Sequence, residues 1–243
     1  MTALTVTWRS AGRSEAGKVR PRNEDAFLDC PERGLWVVAD GMGGHHNGAL
    51  ASRLVVERLA ELPESGDLDA RLLAARQCLH RLNRQLSQAL TVTADRPEPL
   101  MGSTVVALLR EDDRAVCLWA GDSRCYLWRR GRLYQLSRDH SLLQQLLDGG
   151  QLSPAQAAAH PGAHALTRAI GASEQLQLDV LEFRVHPGDA LLLCSDGLYG
   201  SLSPDALGAA LSLPSAALAL RCLFDAALDG PARDNLSAVV VRP

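Results

Sequence analysis

The stretch VVADGMGGHHNG, residues 37–48, carries an apolar run onto an aspartate and then passes through four glycines and two histidines. Val37, Val38 and Ala39 read as the end of a buried strand, so Asp40 stands where a strand gives way to a loop. A tight turn that contains an acid accounts for such a stretch. So does a site where backbone and carboxylate together approach a small charged group, a metal ion or a phosphate. The rest of the chain decides between them.

With 243 residues the chain is long enough for a sizeable core. A hydrophobic share of 47% beside 22% charged residues is that of an ordinary globular protein. The net charge of −3 advertises neither a nucleic-acid partner nor an anionic membrane surface. Cys30, Cys78, Cys117, Cys125, Cys194 and Cys222 are scattered, without a C-x-x-C pair or zinc spacing, which suits a reduced cytoplasmic setting. The opening MTALTVTWRS alternates like a strand and lacks the apolar core of a signal peptide. No apolar run approaches the ~20 residues that span a bilayer.

Along the chain, LTVTWRS, AFLDC and GLWVVAD read as strands. ALASRLVVERLAEL and LDARLLAARQCLHRLNRQLSQAL place apolar residues at helical spacing, and the prolines of TADRPEP end the second helix. From Gly102 onward STVVALLR, RAVCLWAG, RCYLWRR and RLYQLS are short runs between charged or glycine turns, as in an antiparallel meander. Residues 139–172 mix short helical pieces, histidines and prolines, and read as a surface excursion. LQLDVLEFRV and ALLLCSDG return to strands, SPDALGAAL and PSAALALRCLFDAAL to helices, and NLSAVVVR is a final strand. Residues 1–243 thus read as a single α/β or α+β domain.

Asp40 has company. Asp25 precedes a strand in VRPRNEDAF, Asp122 lies at the glycine turn of LWAGDSRCYLW, Asp196 follows ALLLC, and Asp234 precedes the last strand. Each one alone reads as a turn residue whose side chain satisfies local N–H groups. Together at converging strand ends they would form a carboxylate cluster, which repels itself unless a cation holds it. Oxygen-only donors favour Mg2+ or Mn2+, and Gly41 would let a backbone carbonyl approach such an ion.

The motifs VRPRNED, DGMGG, GSTVV, AGDSR, SRDHS, LTRAIG, SDGL and DNLS, in that order, resemble those of the PPM (type 2C) metal-dependent protein phosphatases in their bacterial form. The resemblance runs from about residue 12 to the end of the chain. It implies an α+β fold: a central β-sandwich of two mostly antiparallel sheets flanked by pairs of helices, with 139–172 as a variable flap. It further implies that Asp40 bridges two Mn2+ or Mg2+ ions and that the Gly41 carbonyl meets one of them. Asp196 and Asp234 would hold the other, with Asp25 near the second and Glu24 in its surroundings. Asp122 matches a residue that binds a third, weaker ion. Arg20 stands at the phosphate-binding arginine, with Arg22 its local competitor, and Asn235 is expected to orient Asp234. Where many eukaryotic members carry a histidine proposed as proton donor, this chain has Met42, which leaves His45, His46 or water for that task; His140 reads as structural.

By this resemblance the substrate is a phosphoserine or phosphothreonine protein, with a bacterial Ser/Thr kinase as the opposing enzyme. Small members of this shape resemble phosphatases that accompany kinase-regulated secretion systems. A non-catalytic phosphoprotein-binding pseudophosphatase is the alternative, but Asp40, Asp196 and Asp234 are intact. A two-metal nuclease is a third reading, opposed by the acidic charge balance.

Overall fold

A strand buried on both faces belongs in the middle of a stack. Leu35–Met42 and Leu236–Arg242 are buried in that way over most of their length. The computed structural model describes residues 8–43, 47–89, 101–150 and 152–243. Its strands are β1 (Arg9–Glu15), β2 (Asp25–Cys30), β3 (Leu35–Met42), β4 (Gly102–Ser103), β5 (Val105–Glu111), β6 (Arg114–Ala120), β7 (Arg124–Arg129), β8 (Arg132–Gln135), β9 (Asp179–Arg184), β10 (Ala190–Cys194) and β11 (Leu236–Arg242). The helices are α1 (Asn47–Ala60), α2 (Leu68–Ala89), α3 (Leu142–Asp148), α4 (Pro154–Ala158), α5 (Asp196–Ser201), α6 (Pro204–Leu211) and α7 (Ala216–Asp229).

The strands form two sheets, β1-β11-β10-β7-β8 and β2-β3-β5-β6-β9, with the short β4 on β3. Every pairing is antiparallel. Side chains alternate between the faces of a strand. Trp36 and Val38 therefore meet Leu191, Leu193, Val239 and Val241 of the other sheet between the two layers. Leu35, Val37 and Ala39 turn outward onto Val55 and Leu59 of α1 and Leu79 and Leu82 of α2. On the opposite side Leu192 and Val240 pack against Leu207 of α6 and Leu220 and Phe224 of α7. The result is the α+β sandwich flanked by helix pairs that the sequence led us to expect. No helix of the described residues is long and apolar enough to cross a membrane.

Local chemistry explains most boundaries. Ser203 caps α6 by accepting from Ala206 N at 3.2 Å, with Pro204 in the first turn. The first strand differs from its expected place: β1 covers residues 9–15, not 4–10, and residues 1–7 lie outside the description. Its RSAGRSE composition hides a strand because pairing with β11 holds it in register from Arg9↔Arg242 to Glu15↔Leu236. Gly12 lies where a Cβ would come within 2.4 Å of the Phe27 ring. The run 190–197 also ends sooner than expected, since β10 stops at Cys194 and α5 begins at Asp196.

Trp36 is fully buried between the sheets; its indole N–H donates to Asp29 Oδ1 at 3.1 Å and its ring lies 5.8 Å from that of Trp8. Trp36→Ala should lower the unfolding free energy by about 3–5 kcal/mol, the usual cost of deleting a buried aromatic. Urea denaturation checks this, and a loss under about 1 kcal/mol would mean that the two sheets are not packed through this ring.

Candidate functional site

Antiparallel pairing sets the end of one strand beside the start of the next. Asp25 opens β2, Asp40 lies near the end of β3, Thr104 precedes β5, Gly121–Ser123 join β6 to β7, Asp196 follows β10 and Asp234 precedes β11. All of them therefore gather at one end of the sandwich. Asp25 and Asp40 are direct cross-strand partners. Asp40 continues the face of Trp36 and Val38, so the parity that builds the core also aims this carboxyl between the sheets.

A cleft of about 790 Å³ opens there, lined among others by Arg20, Asp40, Gly41, Asp122, Asp196 and Asp234. Arg22 and Glu24 also line it, and Asn235 stands at its edge. Asp25 lies behind these residues. Its Oδ2 accepts from Ser195 Oγ at 2.8 Å, while its Oδ1 is sealed from solvent and lacks a partner. The Asp40 backbone is pinned by its neighbours: its N–H donates to Thr104 Oγ1 at 2.9 Å and its carbonyl accepts from Thr104 N at 2.8 Å. Thr104 Oγ1 in turn meets Ser123 Oγ at 2.7 Å, beside Asp122.

Asp234 accepts from Arg20 Nη2 at 2.8 Å through Oδ2 and from the Asn235 backbone N–H at 2.9 Å through Oδ1. The Asn235 amide bonds Glu24 N and the carbonyls of Ala16 and Arg22. This side chain is a tie between loops, while the backbone N–H of Asn235 meets Asp234. Gly41 donates its N–H to Glu24 O at 3.1 Å, and a Cβ on it would meet Gly48 O at 2.1 Å.

The electrostatics follow from crowding like charges in a half-buried cleft. Burial, and then the Asp25, Asp196 and Asp122 charges, push the Asp40 carboxyl well above the usual carboxylate range. Burial lifts Asp25 to about 7 despite the Ser195 hydroxyl, and it lifts Asp122 to about 7, helped by the Asp196 charge. Asp196 is raised by burial and by Asp234. Arg20 is raised by its bond to Asp234.

Among the described residues, no three His, Cys, Asp or Glu side chains close on one point as a finished metal-ligand set. Like charge among the acids and the pairing of Asp234 with Arg20 oppose such a closure: the Asp40 and Asp196 carboxyls are both raised by burial and by neighbouring carboxylates. The residues nonetheless fit a hard divalent cation. Their donors are oxygens, several carboxyls are held at raised pKa by burial and by one another's charge, and Asp25 Oδ1 is buried and unsatisfied.

Four contributors escaped the sequence reading. Thr104 and Ser195 hold Asp40 and Asp25 from behind, and both lie in motifs already noted, GSTVV and SDGL. His164 and Leu166 reach the cleft from within 139–172; Leu166 opens the LTRAIG motif, while nothing in the local pattern singles out His164. His140 bonds both backbone groups of Gly121 and Asp179, a structural tie as expected. His45 and His46 lie outside the described residues.

The chain belongs to the Protein phosphatase 2C family, whose model matches residues 12–226. The serine/threonine protein phosphatase PstP of Mycobacterium tuberculosis is 37% identical over 244 aligned residues, 99% of this chain and 46% of PstP. The chain thus spans about half the length of that relative. PppA, described as a key regulatory component of T6SS in Pseudomonas aeruginosa, superposes with a TM-score of 0.89 at 43% identity over 98% of each chain. The catalytic domain of PstP, solved in complex with two manganese ions, superposes with a TM-score of 0.81 at 35% identity over 97% of each chain.

In metal-free protein, folded Asp122 keeps its proton to about pH 7, whereas an unfolded aspartate loses it near pH 3.9. Between those values the native state binds more protons, so this group's contribution to stability falls as pH rises. Asp122→Asn should therefore stabilise the protein in EDTA at pH 7.5 by roughly 1–2 kcal/mol, after discounting for a partly exposed group, and by less at pH 5. Urea midpoints of both proteins at the two pH values are the check; an equal gain at both would contradict the shifted titration.

Proposed function

We propose that this cleft hydrolyses phosphoserine and phosphothreonine in proteins, using two Mn2+ or Mg2+ ions. The observation that carries the reading is the gathering of Asp40, Asp196 and Asp234 around one cleft with Arg20, backed by the unpartnered Asp25 oxygen. Asp40 would be shared by both ions, Asp196 and Asp234 would hold one, and Asp25 with the Gly41 carbonyl would serve the other. Asp122 stands where a third could bind. Ions held there would supply a water of lowered pKa and neutralise charge developing on the phosphoryl oxygens.

The protein's own groups do the rest. Arg20 presents a planar fork to the phosphoryl oxygens once Asp234 turns to its cation. Thr104 fixes the Asp40 backbone, and Ser195 occupies Asp25 Oδ2, which leaves Oδ1 as the oxygen without a partner. Residues 1–243 act as one catalytic domain, with 139–172 as the flap that shapes access through His164 and Leu166. Six cysteines without a disulfide support a reduced, cytoplasmic setting. The likeness to PppA supports a part in the regulation of a secretion system, and the phosphatase reading itself calls for a Ser/Thr kinase as the opposing enzyme.

The test is hydrolysis of p-nitrophenyl phosphate and of a phosphothreonine peptide in EDTA, Mg2+ or Mn2+. Activity should require the cation and fall by at least about 10²–10³-fold in Asp40→Ala and Asp196→Ala, the scale of losing one charge-stabilising contact. A folded protein without cation-dependent turnover would instead be a phosphoprotein-binding pseudophosphatase.

A further inference from the structure

The wall of the cleft that carries Arg20 is basic. Lys18, Arg20 and Arg22 stand two residues apart on one exposed loop, and Arg233 is exposed on the loop beside it. Lys18 is the chain's sole lysine and the net charge is −3, so this is a local concentration against an acidic background.

The two loops are fastened together. Lys18 N donates to Ala232 O at 2.8 Å, Lys18 Nζ donates to Gly230 O at 3.1 Å, and Asn235 Nδ2 bonds the Ala16 and Arg22 carbonyls. Gly17, at φ 75°, lies so near that a Cβ would meet Asp234 O at 2.3 Å. The cations therefore stand on a fixed support.

Among the described residues, Lys18 and Arg233 stand in no ion pair. Asp234 pairs with Arg20, and Lys18 bonds a neutral carbonyl. The loop's own acid, Glu24, lines the cleft beside Arg20 and Arg22, with Oε2 2.6 Å from where a Cβ of Gly48 would stand at the start of α1. Val19, 66% exposed between Lys18 and Arg20, adds an apolar contact to the same rim.

Resting on the phosphatase reading above, we propose that this wall selects phosphoserine or phosphothreonine flanked by aspartate or glutamate. With Arg20 on the phosphoryl group, Lys18 and Arg233 stand outside the cleft lining, where the neighbouring residues of an extended peptide pass at ~3.3 Å per residue. Opposed charges across the rim favour acidic neighbours and repel basic ones. A few loop cations beside a cleft are too narrow a footprint for a duplex or a bilayer. Each exposed pair is weak and screened by salt, so the preference should be moderate, expressed in KM, and salt-sensitive.

The experiment compares kcat/KM for two phosphothreonine peptides that differ only in carrying Glu or Lys on both sides. It uses the Mn2+-loaded wild type and the Lys18→Glu/Arg233→Glu variant. In wild type the Glu peptide should be favoured about tenfold or more at low salt, and less than about threefold in half-molar NaCl. The variant should bring the low-salt ratio to about two or below. Because the ratio is taken on one preparation, loss of folded enzyme cancels. Equal use of both peptides by wild type, or a ratio that the variant leaves in place, overturns the inference while the phosphatase reading stands. Wild type that turns over neither peptide nor p-nitrophenyl phosphate overturns both.

Discussion

Strand alternation is the constraint on which the rest depends. Each residue of β3 is committed to one of two faces, and a slip of one position would exchange them. Trp36 and Val38 fill the space between the sheets while Leu35, Val37 and Ala39 meet the helices. Asp40 is the next residue on the inner face, and it is reached where the inter-sheet packing gives way to the cleft. A register error would therefore bury the carboxyl against α1 and drive Trp36 outward. The burial that stabilises the core and the placement of the acid are one decision, held by the same cross-strand pairs, Asp25↔Asp40 through Cys30↔Leu35.

The cleft works against the core. Carboxyls forced together in a half-buried setting cannot all ionise, and the protein holds several of them at raised pKa. What keeps them in place is a backing of hydroxyls and backbone groups: Thr104 with Ser123 behind Asp40, and Ser195 with the Ser237 N–H behind Asp25. These hydroxyls are themselves buried, and each bonds a protein group beside it. The scaffold thus preserves a concentration of negative charge that would otherwise relax, and a cation is the natural complement to it.

Much of this could be read in the sequence because period and punctuation are local properties. Apolar runs ending on Asp40 and Asp196, and turns at Asp122 and Asp234, are visible without knowing what pairs with what. What could not be read depends on distant partners. β1 is a strand because β11 lies beside it, whatever RSAGRSE suggests. Asp196 begins a helix instead of merely ending a strand, a difference that SDGL does not announce because serine and aspartate suit both settings. Ser195 and Thr104 look like ordinary strand residues until Asp25 and Asp40 are placed against them. His164 reaches the cleft only through the path of 139–172, which periodicity does not determine.

The glycines that follow two of the acids show the same dependence. After Asp40, sequence suggests an open approach for an ion. Neither Gly41 nor Gly197 adopts the left-handed conformation that only glycine tolerates well. What each of them needs is room. A Cβ at Gly41 would stand 2.1 Å from Gly48 O, and one at Gly197 would stand 2.0 Å from Asn235 O. The first glycine lets the end of β3 press on the start of α1, and the second lets α5 press on the loop that carries Asp234. Any larger residue would separate those segments and spread the acids they carry. Asp-Gly at these two places is a device for close backbone packing, and the convergence of Asp40, Asp196 and Asp234 follows from it.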